Sequence, residues 1–448
     1  MADKERKMDE EKKKILDAVK EKNIRHIQLW FTDILGRLKS MEISDSELAG
    51  ALEDGIGFDG SSIEGFARIE ESDVMAMPDP ATFQIFPWTS PEGQVARLIC
   101  DVQDPYGNPY PGDPRYVLKR ALAKAANMGY TFNVGPEMEF FYFKDAQWPE
   151  PLDKSGYFDL MPPDLGTDLR RETAQALEAM GMQVECTHHE VAPSQHEVDL
   201  RHREAMAMAD DVMTLRFVIK EVALRNGVYA TFMPKPILTE NGSGMHVHQS
   251  LLREGKNAFF DPEDEFNLSD VAKRFIAGIM KHASEIIAVT DQWVNSYKRL
   301  VPGYEAPVYN SWARRNRSTM IRVPLYQPGK EMATRFEFRA PDPACNPYLA
   351  FAVLLSAGLA GIEGNYDLPD PIEENIFQMT PEEKARRGIT ELPGNLYAAI
   401  RAVSQSELVK ETLGDHMFEQ FVRNKEIEWD NYRIHVSRYE LEKYLPIL

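Results

Sequence analysis

Cysteine is scarce. Cys100, Cys186 and Cys345 are the only three in 448 residues, and no two of them form a CxxC pair. That excludes a disulfide scaffold and makes a reducing cytoplasm the expected location. Each cysteine reads as a small buried hydrophobe. Positive charge is also in deficit: 51 Lys and Arg stand against 71 Asp and Glu, a net charge of −20. Nucleic-acid binding rests on neutralising phosphates with basic side chains, so no nucleic-acid partner is expected. Long apolar runs are missing. The longest, Tyr348 to Ile362, is shorter than the ~20 residues of a spanning helix and reads as a buried helix, so no membrane partner is expected. The opening MADKERKMDEEKKK has no apolar core and does not read as a signal peptide. There is no GxxxxGK[ST] loop, no internal repeat and no low-complexity tract.

Two partial motifs fail on context. Gly55-Ile56-Gly57-Phe58-Asp59-Gly60 spells GxGxxG, but the pattern before it is helical and Ser61-Ser62 follows as a polar stretch. It reads as a tight functional loop, not a dinucleotide cradle. His189-Glu190 and His196-Glu197 begin like a zinc-protease helix. The second histidine that motif needs four residues on is replaced by Pro193 and Leu200.

What is present is an ordinary globular composition, 43% apolar and 27% charged. At roughly 100–200 residues per domain the length allows two to four domains. The best linker is Asp104–Pro114, with four prolines and two glycines. It divides a small α+β domain, residues 1–103, from a large one, residues 104–448. Residues 4–22 carry Met8, Ile15, Leu16 and Val19 at near-helical spacing. His26 to Ile43 reads as a hairpin turning at Asp33–Gly36. Residues 45–54 read as a short helix capped by Ser44 or Asp45. Short strands are expected between Thr82 and Asp101. In the large domain helices over 114–128, 167–180, 203–226, 269–289 and 347–362 alternate with strand-like runs.

Four of those runs carry chemistry. In YTFNVGPEMEFFYF (130–143), Glu137 and Glu139 are two apart and leave one strand face. Two carboxylates side by side in so hydrophobic a strand repel each other, and a divalent cation resolves the conflict. QVECTHHEVAPSQHEVDL (183–200) reads as two strands about a Pro193 turn, with Glu190 and Glu197 near the turn. In NGSGMHVHQS (241–250), His246 and His248 share a face opposite Met245 and Val247. In RFEFR (335–339), Arg335, Glu337 and Arg339 oppose Phe336 and Phe338. The economical arrangement is a strongly curved sheet with a polar concave face. Carboxylates outnumber histidines and no thiolate takes part, so hard cations, Mg²⁺ or Mn²⁺, fit better than zinc. Between Arg299 and Arg339 the chain also holds Arg314, Arg315, Arg317, Arg322 and Arg335. Guanidinium forks suit phosphate and carboxylate oxygens. Metals and arginines facing one cleft are the parts of phosphoryl transfer. Arg314, Arg315 and Arg335 fit structural ion pairs equally well.

These segments resemble glutamine synthetase of type I, in order and over essentially the whole chain. They are FDGSSIEGFARIEESD (58–73), GPEMEFF (135–141), HHEVAPSQHEVDL (188–200), NGSGMHVHQS (241–250), KRLVPGYEAPV (298–308), RNRSTMIRVP (315–324) and FEFRAPDPACNPYLA (336–350). The resemblance implies an α+β protein. A small N-terminal β-grasp domain would precede a large catalytic α/β domain with a curved antiparallel sheet. It implies ATP-dependent ligation of ammonium to glutamate through γ-glutamyl phosphate. One metal would lie between Glu139, Glu190 and Glu197, the other between Glu137, His246 and Glu337. Glutamate would meet Asn241, Gly242, Arg299, Glu305 and Arg339. ATP would meet His248, Ser250, Arg317 and Arg322. Asp59, from a neighbouring subunit, would bind ammonium, and Glu305 would help to close the site. A dodecamer of two stacked hexameric rings is implied. A γ-glutamyl-amine ligase of the same superfamily and a metal-binding protein without activity are the alternatives.

Regulation is also implied. The segment matching the adenylylated tyrosine of many relatives is Asn375-Ile376-Phe377 before Pro381-Glu382-Glu383, and Phe377 has no hydroxyl. Asn395-Leu396-Tyr397 lacks that context. The chain therefore resembles the alpha subgroup, which is controlled directly by small molecules such as glutamine or 2-oxoglutarate. The arginine implicated in glutamine feedback corresponds to Arg68.

Overall fold

The computed structural model describes residues 2–63, 65, 73–90, 92–160, 164–316 and 319–448. Arg68 and Arg317 lie outside the described residues. The first sheet is built from β1 (Ile24–Thr32), β2 (Leu38–Ser44), β3 (Ile56–Asp59), β4 (Asp73–Pro78), β5 (Gln84–Ile85) and β6 (Gln94–Gln103). Its order is β2-β1-β6-β4-β3, with β5 also on β6. The β1–β6 pairing is parallel and the others are antiparallel. A helix, Ala2–Glu21, packs Ile15 and Val19 onto it.

The second sheet has eleven strands: β7 (Thr131–Phe143), β8 (Val184–His189), β9 (Gln195–Leu200), β10 (Arg203–Glu204), β11 (Tyr229–Thr231), β12 (Met245–Arg253), β13 (Lys256–Asn257), β14 (Tyr309–Ala313), β15 (Thr319–Arg322), β16 (Phe336–Phe338) and β17 (Thr390–Glu391). The path runs β17-β14-β15-β16-β12-β7-β9-β8. Every pairing is antiparallel except β14 with β15. The α+β class and the curled, largely antiparallel sheet match the expectation.

The five expected helices of the large domain appear at Pro114–Asn127, Thr167–Ala179, Ala205–Arg225, Asp270–Thr290 and Pro347–Glu363. Local chemistry fixes their starts. Asp113, Ser269 and Asn346 accept hydrogen bonds from main-chain N–H groups of the first turn, and Pro114 and Pro347 occupy positions that need no N–H partner. The apolar run around Tyr348 is a helix buried nearly all round, as expected of a core element. No helix among the described residues is long and apolar enough to cross a membrane. The β1–β2 hairpin tip docks on the large domain: Asn346 Nδ2 donates to the carbonyls of Asp33 and Ile34, and Gln292 Nε2 to that of Leu35. Arg115 adds ion pairs to Asp79, Asp101 and Asp210.

Three expectations need correction. The helix expected over 45–54 begins only at Leu48, with Glu47 at its cap position and no side-chain cap. Ser44 stays in β2, and Asp45 N–H is held by the Arg25 carbonyl, so the chain turns before it can coil. The stretch from Gly55 to Gly60 is not a free loop. Ile56–Asp59 pairs with β4, and Asp59 then caps a single 3₁₀ turn through Ser61 N–H. Cys100 and Cys345 are buried, but Cys186 is exposed. Four helices, Leu396–Val403, Glu407–Leu413, Asp415–Arg433 and Arg438–Tyr444, carry none of the expected motifs.

Candidate active site

Strand order brings the four expected segments side by side. In the sequence β16-β12-β7-β9, Glu337 is the neighbour of His248, His246 of Glu137, and Glu139 of Glu197. Because side chains alternate along strands, these residues share one face. All of them but His248 line a cavity of about 550 Å³ with Glu190, Asn241, Gly242, Arg299, Glu305, Arg322 and Arg339. A second cavity, about 270 Å³, contains His248, Ser250 and Arg335. Glu137, Cys186 and Asp199 line both, so the two spaces adjoin.

Glu137, His246 and Glu337 form one compact trio, with ligand atoms within 4.8 Å of one another. His246 Nδ1 is 3.1 Å from Glu137 Oε2 and 3.5 Å from Glu337 Oε1. Arg335 Nε donates to His248 Nδ1 at 3.2 Å, which leaves His248 Nε2 as the donor to Glu137 Oε1 at 2.7 Å. Burial acts to raise Glu137, but the imidazoles of His246 and His248 outweigh it and hold the carboxyl well below its ordinary range. Glu337 is completely buried. Arg322 Nε donates to it at 2.5 Å, and Arg339 binds its other oxygen. Against burial, Arg339 and the two histidines bring Glu337 down to about 2. Burial and the charge on Arg339 push His246 down to about 4, so it is a neutral imidazole with a lone pair to offer.

The other half differs from the expected trio in one member. Glu190 and Glu197 are grouped with His188, whose Nε2 is 3.2 Å from Glu197 Oε1. Glu139 lines the same cavity, with one oxygen accepting from Gln195 Nε2 at 2.9 Å and Gly244 N–H at 3.0 Å. Its free oxygen lies 3.9 Å from His246 Nε2. Burial and the nearby Glu190 raise Glu139 to about 8. Burial also raises Glu190 and pushes Glu197 far up, the latter with help from Asp199 and Glu139. Asp199 rises to about 7 through burial and Glu137. These carboxylates are buried against one another without matching positive charge. Oxygen and imidazole donors in that condition fit a hard divalent cation. The thiol at the cavity wall, Cys186, is raised by its partial burial and by Asp199. His188, Asp199 and Gln195 were not expected. Alternation could have found the first two: His188 is two before Glu190, and Asp199 two after Glu197.

Behind this acidic face the β8–β9 hairpin is braced by buried polar side chains. His189 Nε2 meets Asp153 Oδ1 at 3.1 Å, and its Nδ1 meets the Glu190 carbonyl at 2.7 Å. Arg170 forms a two-pronged pair with Asp164 and donates to His196 Nδ1 at 2.7 Å. Asp153, His189 and His196 have metal-ligand spacing. However, Arg170 occupies His196 Nδ1, and Ser194 N–H occupies Asp153 Oδ1 at 2.9 Å. The cluster braces the hairpin that carries the two glutamates, and two of its ligand atoms are already engaged.

The loop before β12 supplies Asn241 and Gly242. A Cβ on Gly242 would stand 2.4 Å from the Pro234 carbonyl, and one on Gly244 2.5 Å from Arg299 Nη2, so only glycine lets the loop close on that arginine. Arg299 is buried and fixed by the carbonyls of Ala340, at 2.5 Å, and Arg339, at 3.0 Å. Asn241 Nδ2 reaches Glu305 Oε2 at 3.4 Å. Glu305 adopts φ of +54°, a left-handed conformation that is unusual for a side chain of its size. Asp59 is exposed and is not brought into the cavity. Arg314 and Arg315 also stay outside it, their main-chain N–H groups bound to Glu373.

The catalytic-domain model of glutamine synthetase matches residues 111–444, and the β-grasp-domain model of glutamine synthetase matches residues 23–105. The chain belongs to the glutamine synthetase family. It is 54% identical to a glutamine synthetase of Mycolicibacterium smegmatis over 446 residues, 98% of this chain and 100% of the relative. It is 51% identical to one of Methanosarcina mazei over 441 residues, 98% of each. Among solved structures, a GmaS/ADP complex superposes with a TM-score of 0.88 at 32% identity, covering 96% of this chain and 99% of that one. A Plasmodium falciparum glutamine synthetase gives 0.87 at 25% identity over 97% and 98%. The first sheet is thus the β-grasp part of a glutamine synthetase, and the eleven-stranded sheet is its catalytic part.

Proposed function

We infer that the protein is a glutamate–ammonia ligase: it joins ammonium to L-glutamate with ATP, giving L-glutamine, ADP and phosphate. The observation that carries this reading is the pair of adjoining cavities, one lined with carboxylates and arginines and the other with His248 and Ser250. The likeness to glutamine synthetases along nearly the whole chain supports it. We place the domain boundary at residue 103, leaving residues 104–448 as the catalytic part.

Glu137, His246 and Glu337 would hold one divalent cation, Mg²⁺ or Mn²⁺, and Glu139, Glu190 and Glu197 a second, with His188 at its edge. Such ions supply charge neutralisation, so that two anions can approach. Arg322, Arg317 and Arg339 do the same for the transferring phosphoryl group. Asn241, Gly242, Arg299 and Arg339 orient glutamate. Its γ-carboxylate oxygen attacks the terminal phosphorus of ATP, the bond to ADP breaks, and γ-glutamyl phosphate forms. Ammonium held by Asp59 of a neighbouring subunit gives a proton to that carboxylate, and the resulting ammonia attacks the γ-carbonyl carbon and displaces phosphate. Glu305 closes the cavity, because an acyl phosphate exposed to water hydrolyses. His248 and Ser250 face the nucleotide. A dodecamer of two hexameric rings provides the shared site.

Regulation follows the alpha pattern in this reading, with glutamine or 2-oxoglutarate acting directly and Arg68 coupling glutamine to a closed state. An unchanged glutamine response in Arg68→Ala removes that residue. An adenylylated tyrosine found by mass spectrometry removes the subgroup.

The deciding experiment measures ADP and glutamine together with glutamate, ammonium or methylamine omitted in turn. Glutamine formed one-for-one with ADP on ammonium supports the reading. A strong preference for methylamine replaces it with the γ-glutamyl-amine ligase.

A further inference from the structure

A cavity of about 770 Å³ is separate from the acidic cleft and shares none of its lining. Its walls come from the β1–β2 hairpin tip, the helix Ala205–Arg225, the chain just after β11, and residues 293–298. That volume is in the range of small-molecule sites. Phe217, Phe232 and Trp293 give it an aromatic body.

Its charge is the unusual feature. In a chain of net charge −20 the lining contains Arg37, Arg216, Lys220 and Lys298 against one carboxylate, Glu428. Glu428 is already used: one oxygen accepts from Val294 N–H at 3.0 Å, and the other pairs with Lys425 at 2.8 Å. Arg216 is 8% exposed and binds only neutral acceptors, the Cys345 carbonyl at 2.8 Å and the Met213 sulfur at 3.9 Å. Its Nε is buried without a partner. The other three cations are exposed at the rim. Each stands over an aromatic ring: Arg37 5.9 Å from Trp293, Lys220 5.5 Å from Phe232 and Lys298 5.4 Å from Tyr432. Among the described residues none of the four makes a salt bridge. Asp342 acts on Arg216 electrostatically but makes no salt bridge with it, so an incoming anion with an apolar body would pair with the guanidinium directly while covering the rings.

We propose that this cavity is a binding site for a compact amphipathic anion, an aromatic or branched aliphatic body bearing one carboxylate or sulfonate. The acid group meets Arg216 and the rim cations, and the body lies against Phe217, Phe232 and Trp293. The site borders the glutamate-orienting loops. The Pro234 carbonyl in its wall accepts from Ser243 N–H at 2.8 Å, and Lys298 directly precedes Arg299.

The test is calorimetric titration of the full-length oligomer with naphthalene-1-sulfonate, its neutral sulfonamide and inorganic sulfate, followed by a structure of the sulfonate complex. The sulfonate should bind at least about tenfold more tightly than either comparator, a gap of about 1.4 kcal/mol. Lys220→Glu and Lys298→Glu, both at exposed positions, should each weaken it severalfold, and Lys14→Glu, on the distant N-terminal helix, should not. Arg216→Met should weaken it most; if that variant misfolds, the rim variants still decide. Equal affinity for the neutral sulfonamide overturns the proposal. So do indifference to both rim substitutions, no binding at millimolar probe, or density for the probe elsewhere with this cavity empty.

Discussion

Glu137 and Glu337 lie among Arg322, Arg339, His246 and His248 and remain ionised, whereas Glu139, Glu190 and Glu197 face one another and are pushed toward protonation. Both halves of the cleft draw on the same donor types and the same sheet. The difference is who supplies the positive charge. Around Glu337 the protein supplies it, through two guanidinium groups. Around Glu197 no guanidinium comes within salt-bridge distance among the described residues, so that half needs a cation from outside. One half is balanced by the fold, and the other would be balanced by the cation proposed above.

Breaking the half balanced by the fold has the largest consequence. Glu337→Ala leaves the buried Arg339 and the half-buried Arg322 without their shared partner. We expect biosynthetic turnover to vanish and stability to fall by about 3–5 kcal/mol, the cost of breaking a buried pair. Denaturant unfolding and Mn²⁺ binding followed by electron paramagnetic resonance measure the two effects separately. Normal turnover at limiting Mg²⁺ would show that Glu337 holds no metal.

The same kind of change in the other half should have the opposite sign on stability. Glu197→Gln removes one of several repelling carboxylates, so the metal-free protein should become more stable while Mn²⁺ affinity falls. The fall should be at least the ~10–100-fold seen when outer-shell partners of metals are lost. A less stable metal-free variant would contradict the comparison.

Acidity sharpens it further. Glu139 is raised in the folded protein from 4.5 to about 8, so between those values the folded state holds a proton that the unfolded chain has released. Stability of the metal-free protein should therefore be fullest below about pH 4.5, as far as this group is concerned, and should decline as pH rises to 8. Saturating Mg²⁺ should flatten the decline and release protons on binding. Thermal unfolding with and without Mg²⁺ at pH 6 and 8 measures this. A steeper decline with Mg²⁺ present would refute it.

The smallest effect is expected behind the face. His196→Phe keeps an aromatic ring at the position but takes away the acceptor of Arg170, at about 1–3 kcal/mol for a buried donor left unpaired. If the bracing aims Glu197, the Mg²⁺ activation constant should rise severalfold, and His196→Asn should restore part of it. Loss of stability with an unchanged activation constant would make the bracing purely structural.

Much of this arrangement was legible in the sequence. Alternation in 130–143, 245–250 and 335–339 put the carboxylates and histidines that line the cleft on common faces, and the five long helices fall within two residues of their expected bounds. The β3–β4 pairing was not legible, because glycine in Ile56–Asp59 hides a short strand that exists only through its partner. Nor was the exchange of Glu139 for His188 in the tighter cluster. That choice depends on Gln195 and Gly244 N–H, which hold a Glu139 oxygen and come from elements 50 or more residues away.

The β16-β12-β7-β9 order has a further consequence for how the enzyme comes into being. The neighbours Glu337, His246, Glu137 and Glu197 are scattered over 200 residues of chain, and β16, which carries Glu337, is among the last strands to leave the ribosome. A nascent chain that ends before β16 holds the glutamates of the other strands but no finished Glu137 trio. Contacts so distant in sequence form slowly. Acquisition of tight divalent-cation binding during synthesis or refolding would therefore act as a clock for completion of the central sheet.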